Sequence, residues 1–363
     1  MSELIVEVVE IEEILPHGNA DRLEIAKIKG WFCVTGKGNF KAGDRGVYFP
    51  IDSVLPTELQ AKLFSPESKI KLKNGRIKTE KIRGVISQGL LIPLQDVGLE
   101  DSYVGRNVTK ILGVMKYEPD AGSLPNAMNP QQKRFTNPYF HKYTDIQNAK
   151  NYTKVFEEGE HVIAFEKIHG TNFRAGWVPY VPSGLWENLK VRVLNFLNPA
   201  WVPQWEFVYG SRNMQLKKES ENLYARIVKQ YDLENKIQHG HVIYGEIYGD
   251  GVQKGYNYGC SKNEQRLAIF DVALNGQYQD VGYVAAFCVL KHLPFVPVVY
   301  NGLFDWDTML KLTKGPSLID STQKVREGIV VRSVKEESSP YIGRKVLKFV
   351  SDEYLLKDQT EFH

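Results

Sequence analysis

The sequence predicts an α+β protein in two parts, a small many-stranded β domain followed by a larger domain of strands with interspersed helices. Three observations carry this. Up to about residue 105 the chain reads as short strands divided by turn signals. Between 106 and 145, Pro119, Pro125, Pro130 and Pro138 punctuate a stretch with few periodic apolar residues. From about 146 onward, strand-like runs are joined by segments of helical period. The expected division is therefore residues 1–105, a linker over 106–145, and a domain over 146–363.

In the first part Ile5–Ile11, Glu24–Lys29, Phe32–Thr35 and Val47–Ile51 are strands, the last entered through the turn Gly43-Asp44-Arg45-Gly46. Short strands at such spacing predict a small barrel or sandwich. Residues 69–83, KIKLKNGRIKTEKIR, are expected to form a hairpin. Asn74-Gly75 between alternating runs is a strong two-residue turn signal. Alternation along that hairpin puts Lys69, Lys71, Lys73, Arg76 and Lys78 on one face. Like charges facing one another across strands repel, and bound phosphates would relieve the repulsion. This face is the expected nucleic-acid contact; a solvated, aggregation-resistant edge is the alternative.

In the second part His161–Ile168, Asn172–Trp177, Phe207–Gly210, His241–Tyr248, Leu267–Val272, Glu327–Val331 and Val346–Val350 read as strands. Leu223, Ile227, Val228 and Tyr231 recur at helical spacing within Glu219–Ile237, and Val281–Leu290 is a second helix. Residues 178–204 are an aromatic and Pro-rich insert.

Composition narrows the class without naming it. The 363 residues carry 46 Lys and Arg against 43 Asp and Glu, so any basic surface is local. Cys33, Cys260 and Cys288 fit no zinc spacing or disulfide framework and predict a reducing, cytoplasmic compartment. The acidic N-terminus lacks the apolar run of a signal peptide. The longest apolar stretch, near 284–300, is broken by Lys291, His292 and two prolines, so no membrane span is expected. A monomer is expected. There is no Walker A sequence, because Gly36-Lys37 is followed by Gly38, and no GxSxG or kinase set.

The chemistry concentrates in Phe165-Glu166-Lys167-Ile168-His169-Gly170-Thr171-Asn172-Phe173. A lysine at a strand end, with glycine three residues on, leaves room for close approach of a ligand. An amine attacks phosphorus only when unprotonated, so desolvation or nearby positive charge is expected around Lys167. By itself Lys-x-x-Gly would be read as a surface lysine ahead of a turn.

The whole run EKIHGTNF resembles the nucleotidyl-acceptor motif of the covalent nucleotidyltransferases, the superfamily of ATP-dependent ligases and capping enzymes. His169 followed by Gly-Thr-Asn is similar to the type 2 RNA ligases; DNA ligases and capping enzymes usually have Asp there. Further segments resemble the remaining motifs in order: Ser211-Arg212-Asn213, Tyr244-Gly245-Glu246-Ile247-Tyr248-Gly249, Ala268-Ile269-Phe270-Asp271-Val272, Glu327-Gly328-Ile329-Val330-Val331-Arg332 and Lys345-Val346-Leu347-Lys348-Phe349. In the last, Val346 stands where a first lysine is common, and Lys345 has the wrong parity to share a strand face with Lys348. Pro16-His17-Gly18-Asn19-Ala20-Asp21-Arg22-Leu23-Glu24 is similar to the start of the tRNA-binding OB modules of some synthetases. Together these imply an OB-like barrel followed by an α+β nucleotidyltransferase domain, an arrangement that resembles one group of RNA ligases. Typical type 2 enzymes carry a helical domain after the catalytic one; about a dozen residues follow the last motif here, so none is expected.

The resemblance implies an ATP-dependent RNA ligase joining 3′-hydroxyl and 5′-phosphate ends in RNA repair, with AMP carried on Lys167. It implies nucleotide contacts from Glu166, Asn172, Arg212, Glu246, Phe270 and Lys348. Glu327 would hold Mg²⁺ or Mn²⁺ directly or through water, and His169 and Arg212 would serve the later steps. The rivals are a DNA ligase, a GTP-dependent capping transferase, or a non-catalytic RNA-binding relative.

Overall fold

The computed structural model describes residues 4–64, 72–117, 136–216 and 222–357. By internal contacts the chain divides into two units. One holds residues 1–121, 145–157 and 347–363; the other holds 122–144 and 158–346.

The first unit is built from short antiparallel strands. β1 (Glu7–Glu10) pairs with β5 (Arg45–Phe49), and β5 pairs with β9 (Leu90–Pro93). β2 (Glu13–Pro16), β3 (Leu23–Ile28) and β4 (Trp31–Gly36) form a meander. β7 (Thr79–Ile82) and β8 (Val85–Gln88) form a hairpin, and β6 (Ser53–Val54) meets β10 (Met115–Lys116). The period of two is plain in β4, where Trp31, Cys33 and Thr35 are buried and Phe32 faces outward. Apolar clusters fill the unit. One gathers Val8, Val47, Phe49 and Leu55, with Leu59 from α1 (Thr57–Leu63) and Leu94 from α2 (Leu94–Val97). Another gathers Ile11, Ile28, Trp31, Cys33 and Tyr48.

The hairpin expected over 69–83 lies only partly within the described residues. Lys69 and Lys71 lie outside the described residues. Asn74 and Gly75 do take positive φ, 54° and 70°, as a tight turn requires. Beyond the turn, however, the chain pairs with Ser53–Leu55: Leu55 N–H donates to Gly75 O at 2.9 Å and Ile77 N–H to Ser53 O at 2.8 Å. Arg76 is turned inward, with Nη2 2.6 Å from Asp52 Oδ1 and its guanidinium 3.6 Å above the Tyr117 ring. It is therefore not part of a basic face. Burial pushes the Asp52 carboxyl up and Arg76 opposes this. Of the remaining lysines, Lys73 is exposed and Lys78 half-buried.

A returning segment closes this unit. Lys150 is buried, and its Nζ donates to Gln88 Oε1 at 2.6 Å and Asp352 Oδ1 at 3.1 Å. Burial lowers its ammonium pKa against the pull of Asp352. Trp31 Nε1 donates to Asn151 Oδ1 at 2.6 Å. Gly30 is required by close approach, since a Cβ there would lie 2.6 Å from Lys150 Cα.

In the second unit a five-stranded antiparallel sheet runs in the order β14–β13–β15–β16–β17. A second set places β12 (His161–Lys167) between β18 and β19, antiparallel to both. The ranges are β13 Thr171–Pro179, β14 Trp205–Gly210, β15 His241–Gly249, β16 Gln265–Leu274, β17 Gln277–Tyr278, β18 Val298–Leu303 and β19 Gly328–Ser333. Phe173, Ile243, Ile247, Leu267, Ile269 and Phe287 are in one core, with Ile227 and Leu233 from the helices. Helix α3 (Leu185–Leu197) forms within the insert. The helix expected over 219–237 is two, α4 (Leu223–Gln230) and α5 (Leu233–Lys236), because Asp232 sits at φ 51°. Helix α6 spans Val281–Leu290, as the apolar spacing predicts. β20 (Ser338–Ser339) and β21 (Gly343–Arg344) make a short ladder. The last strand, β22 (Val346–Val350), lies from Leu347 onward in the first unit, where it pairs in parallel with β11 (Gln147–Asn148) and sets Lys348 opposite Asn148.

Candidate active site

Strand register assembles the site. Lys167 ends β12 directly across from Gly328, so Glu327, one residue earlier, meets its side chain. Lys167 Nζ donates to Glu327 Oε1. The chain then turns through Ile168-His169-Gly170 into β13, where Asn172 stands opposite Glu246. Gly170 makes this turn possible, because a Cβ there would fall 2.2 Å from Ile247 O and 2.9 Å from Glu246 Cγ. His169 Nδ1 lies 3.6 Å from Glu327 Oε2.

The direct partner of Lys167 is a carboxylate. Glu327 is 3% exposed, and its Oε2 is buried without a hydrogen-bond partner. Burial pushes Glu246 up to about 8, and the charge of Glu327 adds to this; Lys167, Arg212 and the Gly170 N–H oppose it. Burial also lowers His169, against the pull of Glu327, and the charge of Lys167 acts in the same sense as burial. Asn172 Oδ1 is a second buried acceptor with no hydrogen-bond partner.

Phe270 reaches the sheet surface through a bulge. Tyr244 pairs with Asp271 and Gly245 with Ile269, leaving Phe270 as the extra residue. A bulge re-aims the side chain it carries, and Phe270 is half-buried between Ile269 and Asp271, both fully buried. The Tyr143 ring meets it edge-on at 4.9 Å. Behind it, Asp271 accepts from Tyr143 Oη at 2.9 Å and Arg344 Nη2 at 2.8 Å, with Arg332 Nη1 at 3.2 Å. Glu336 bridges the same two arginines at 2.6 Å. Arg212 follows Ser211, whose carbonyl accepts from the buried Arg174 Nε at 2.9 Å.

One loop holds the turn after Lys167. His169 N–H donates to Tyr258 Oη at 2.7 Å, and Gln253 Nε2 donates to Gly170 O at 2.9 Å. Tyr256 Oη donates to Val325 O at 3.1 Å, and its ring meets His169 edge-on at 5.0 Å. Sequence reasoning missed these residues, together with Tyr143 and the Asp271 cluster.

The structure thus brings Lys167, His169, Asn172, Glu246 and Glu327 together, with Arg212 close enough to act on Glu246. Glu166, adjacent to Lys167, points elsewhere: its Oε2 accepts from Leu318 N–H at 2.7 Å, and burial raises its pKa. Lys348 is buried and belongs by its contacts to the first unit. Lys345 pairs with Glu160 at 2.7 Å, which agrees with its wrong parity. Among the described residues no group of three His, Cys, Asp or Glu side chains is arranged to hold a metal.

The RNA ligase family model matches residues 160–350, and an OB-fold domain model matches residues 5–94. The chain is an enzyme of the RNA ligase family, α+β in class, with an N-terminal OB-fold domain. A Naegleria gruberi RNA ligase variant solved with ATP and Mn is similar at a TM-score of 0.75 and 23% identity, covering 97% of this chain and 98% of that one. The same ligase solved with pyrophosphate is similar at a TM-score of 0.71 and 22% identity, covering 98% of each chain. The beta subunit of phenylalanine–tRNA ligase from Prochlorococcus marinus (strain NATL2A) is 35% identical over 100 residues. That match covers 26% of this chain and only 10% of the subunit.

Proposed function

We propose that this chain is an ATP-dependent RNA ligase that joins 3′-hydroxyl to 5′-phosphate RNA ends, as in the repair of broken RNA. The observation that carries the reading is Lys167 at a strand end, paired with Glu327 and followed by the turn into β13, where Asn172 stands opposite Glu246. The Lys167 amine attacks the α-phosphorus of ATP, a phosphoramidate bond forms and pyrophosphate leaves. AMP then passes to a 5′-phosphate end, and attack by the 3′-hydroxyl closes the strand and releases AMP.

Glu327 beside the amine can accept the proton that Lys167 must lose. Asn172 Oδ1 and Glu246 offer buried polar groups to the nucleoside, and Phe270 offers a ring for the adenine. A bound Mg²⁺ or Mn²⁺ would neutralise charge on the phosphate oxygens. The buried, unbonded Oε2 of Glu327 suits such an ion, held directly or through water, with the substrate phosphates completing its shell. The Naegleria ligase was solved with ATP and Mn, which supports this pairing of ligands. Phosphate contact by Arg212 and Lys348, and a later role for His169, follow from the motif resemblance. RNA binding by the OB-fold domain belongs to the same reading.

The test is strand joining. Nicked or single-stranded RNA with 3′-hydroxyl and 5′-phosphate ends is incubated with the protein and either ATP or GTP. Joining with ATP alone, abolished in Lys167→Ala, is expected. Use of GTP, or joining of DNA only, would overturn the assignment.

A further inference from the structure

We propose that α3 is an in-plane membrane helix that seats the chain on an anionic phospholipid surface. The helix presents its most apolar face to water. Leu185, Trp186, Leu189, Val193, Phe196 and Leu197 are between 50% and 89% exposed, and no residue of the helix is buried. At about 100° per residue these six side chains fall within an arc of about 120°. The residues that turn partly inward are Glu187, Val191 and Leu194. A soluble helix normally has the opposite arrangement, and a contiguous outward patch of this kind marks an interaction surface.

Charge selects the occupant. Lys190 and Arg192 border the apolar arc on its two sides, and both are exposed. The only acid of the helix, Glu187, is turned back to its N-terminus, where Ser183 N–H and Oγ donate to its carboxylate at 2.7 Å. The outward half is therefore apolar at the centre and cationic at both rims. A second copy packed antiparallel would set these cations against their own mates. An anionic bilayer instead takes the Trp, Phe and Leu side chains below its headgroups while Lys190 and Arg192 reach phosphates. At 13 residues the helix spans about 20 Å, shorter than the roughly 30 Å bilayer core, so it lies in the surface rather than crossing it. No helix among the described residues is long and apolar enough to cross a membrane.

Flotation of the full chain with vesicles tests this. The wild-type protein should float with vesicles of phosphatidylserine and phosphatidylcholine far more than with phosphatidylcholine alone. Trp186→Gln with Phe196→Gln should abolish flotation, and Lys190→Gln with Arg192→Gln should weaken it roughly thirtyfold at low salt. RNA joining by both variants should be unchanged. Absence of flotation in the wild type would overturn the proposal. So would a concentration-dependent dimer, or RNA binding, that Trp186→Gln with Phe196→Gln removes without any vesicle binding.

Discussion

Gly170→Ala is the smallest change that should disable the site. The added methyl would stand 2.2 Å from Ile247 O and 2.9 Å from Glu246 Cγ, and the first is a backbone atom on a central strand. Ordinary contact is about 3.5 Å, so the turn after Lys167 or strand β15 must move by about 1 Å. That strand pair sets Thr171 against Ile247 and Asn172 against Glu246, and the turn itself carries Lys167 on one side. A misplacement of about 1 Å at a reacting centre costs on the order of a hundredfold in rate. Overpacking of this kind costs about 1–3 kcal/mol of stability, which leaves a large domain folded but with a lowered melting temperature. The assay is single-turnover labelling of the protein with ATP, with a thermal melt in parallel. Labelling at the wild-type rate would refute the argument that backbone proximity at Gly170 fixes the nucleophile.

Three further outcomes follow from the same geometry. Glu246 is held up to about 8, so between about 4.5 and 8 the folded chain keeps a proton that the unfolded chain releases. Stability should therefore fall as pH rises through that window, and Glu246→Gln should flatten the fall in melts run from pH 5 to 9. Tyr258→Phe removes the acceptor of the buried His169 N–H and should cost about 1–3 kcal/mol in thermal unfolding and slow adenylylation, whereas unchanged labelling would show the loop to be passive. Arg76→Ala leaves the buried Asp52 unpaired and should destabilise the OB-fold domain by about 3–5 kcal/mol, read by denaturant unfolding. Lys73→Ala should instead leave stability alone; if Arg76→Ala altered only the salt dependence of RNA binding, the surface reading of that arginine would be right after all.

Local pattern made much of the framework of the proposed site legible. The strands around Lys167, Glu246 and Glu327 and the helix Val281–Leu290 follow from apolar runs of the right period, and the motif order carried the family. What stayed hidden depends on distant partners. Arg76 looked like one of a row of lysines because its acid, Asp52, lies on another segment. The bulge that presents Phe270 is a mismatch between two strands, invisible in either alone. Tyr256 and Tyr258 sit in a loop whose role appears only when it folds over His169 and Gly170. The break at Asp232 is a single positive φ that helical spacing does not register. In the 178–204 insert, the prolines and aromatics concealed a helix whose apolar spacing is clear once its ends are known.

The most direct measurement is the intact mass of the purified chain after incubation with ATP and Mg²⁺ or Mn²⁺, followed by peptide mapping. A single adenylyl group on the peptide containing Lys167, absent from Lys167→Ala, is the predicted result. A chain that gains no AMP, or gains it on another side chain, would contradict the central claim.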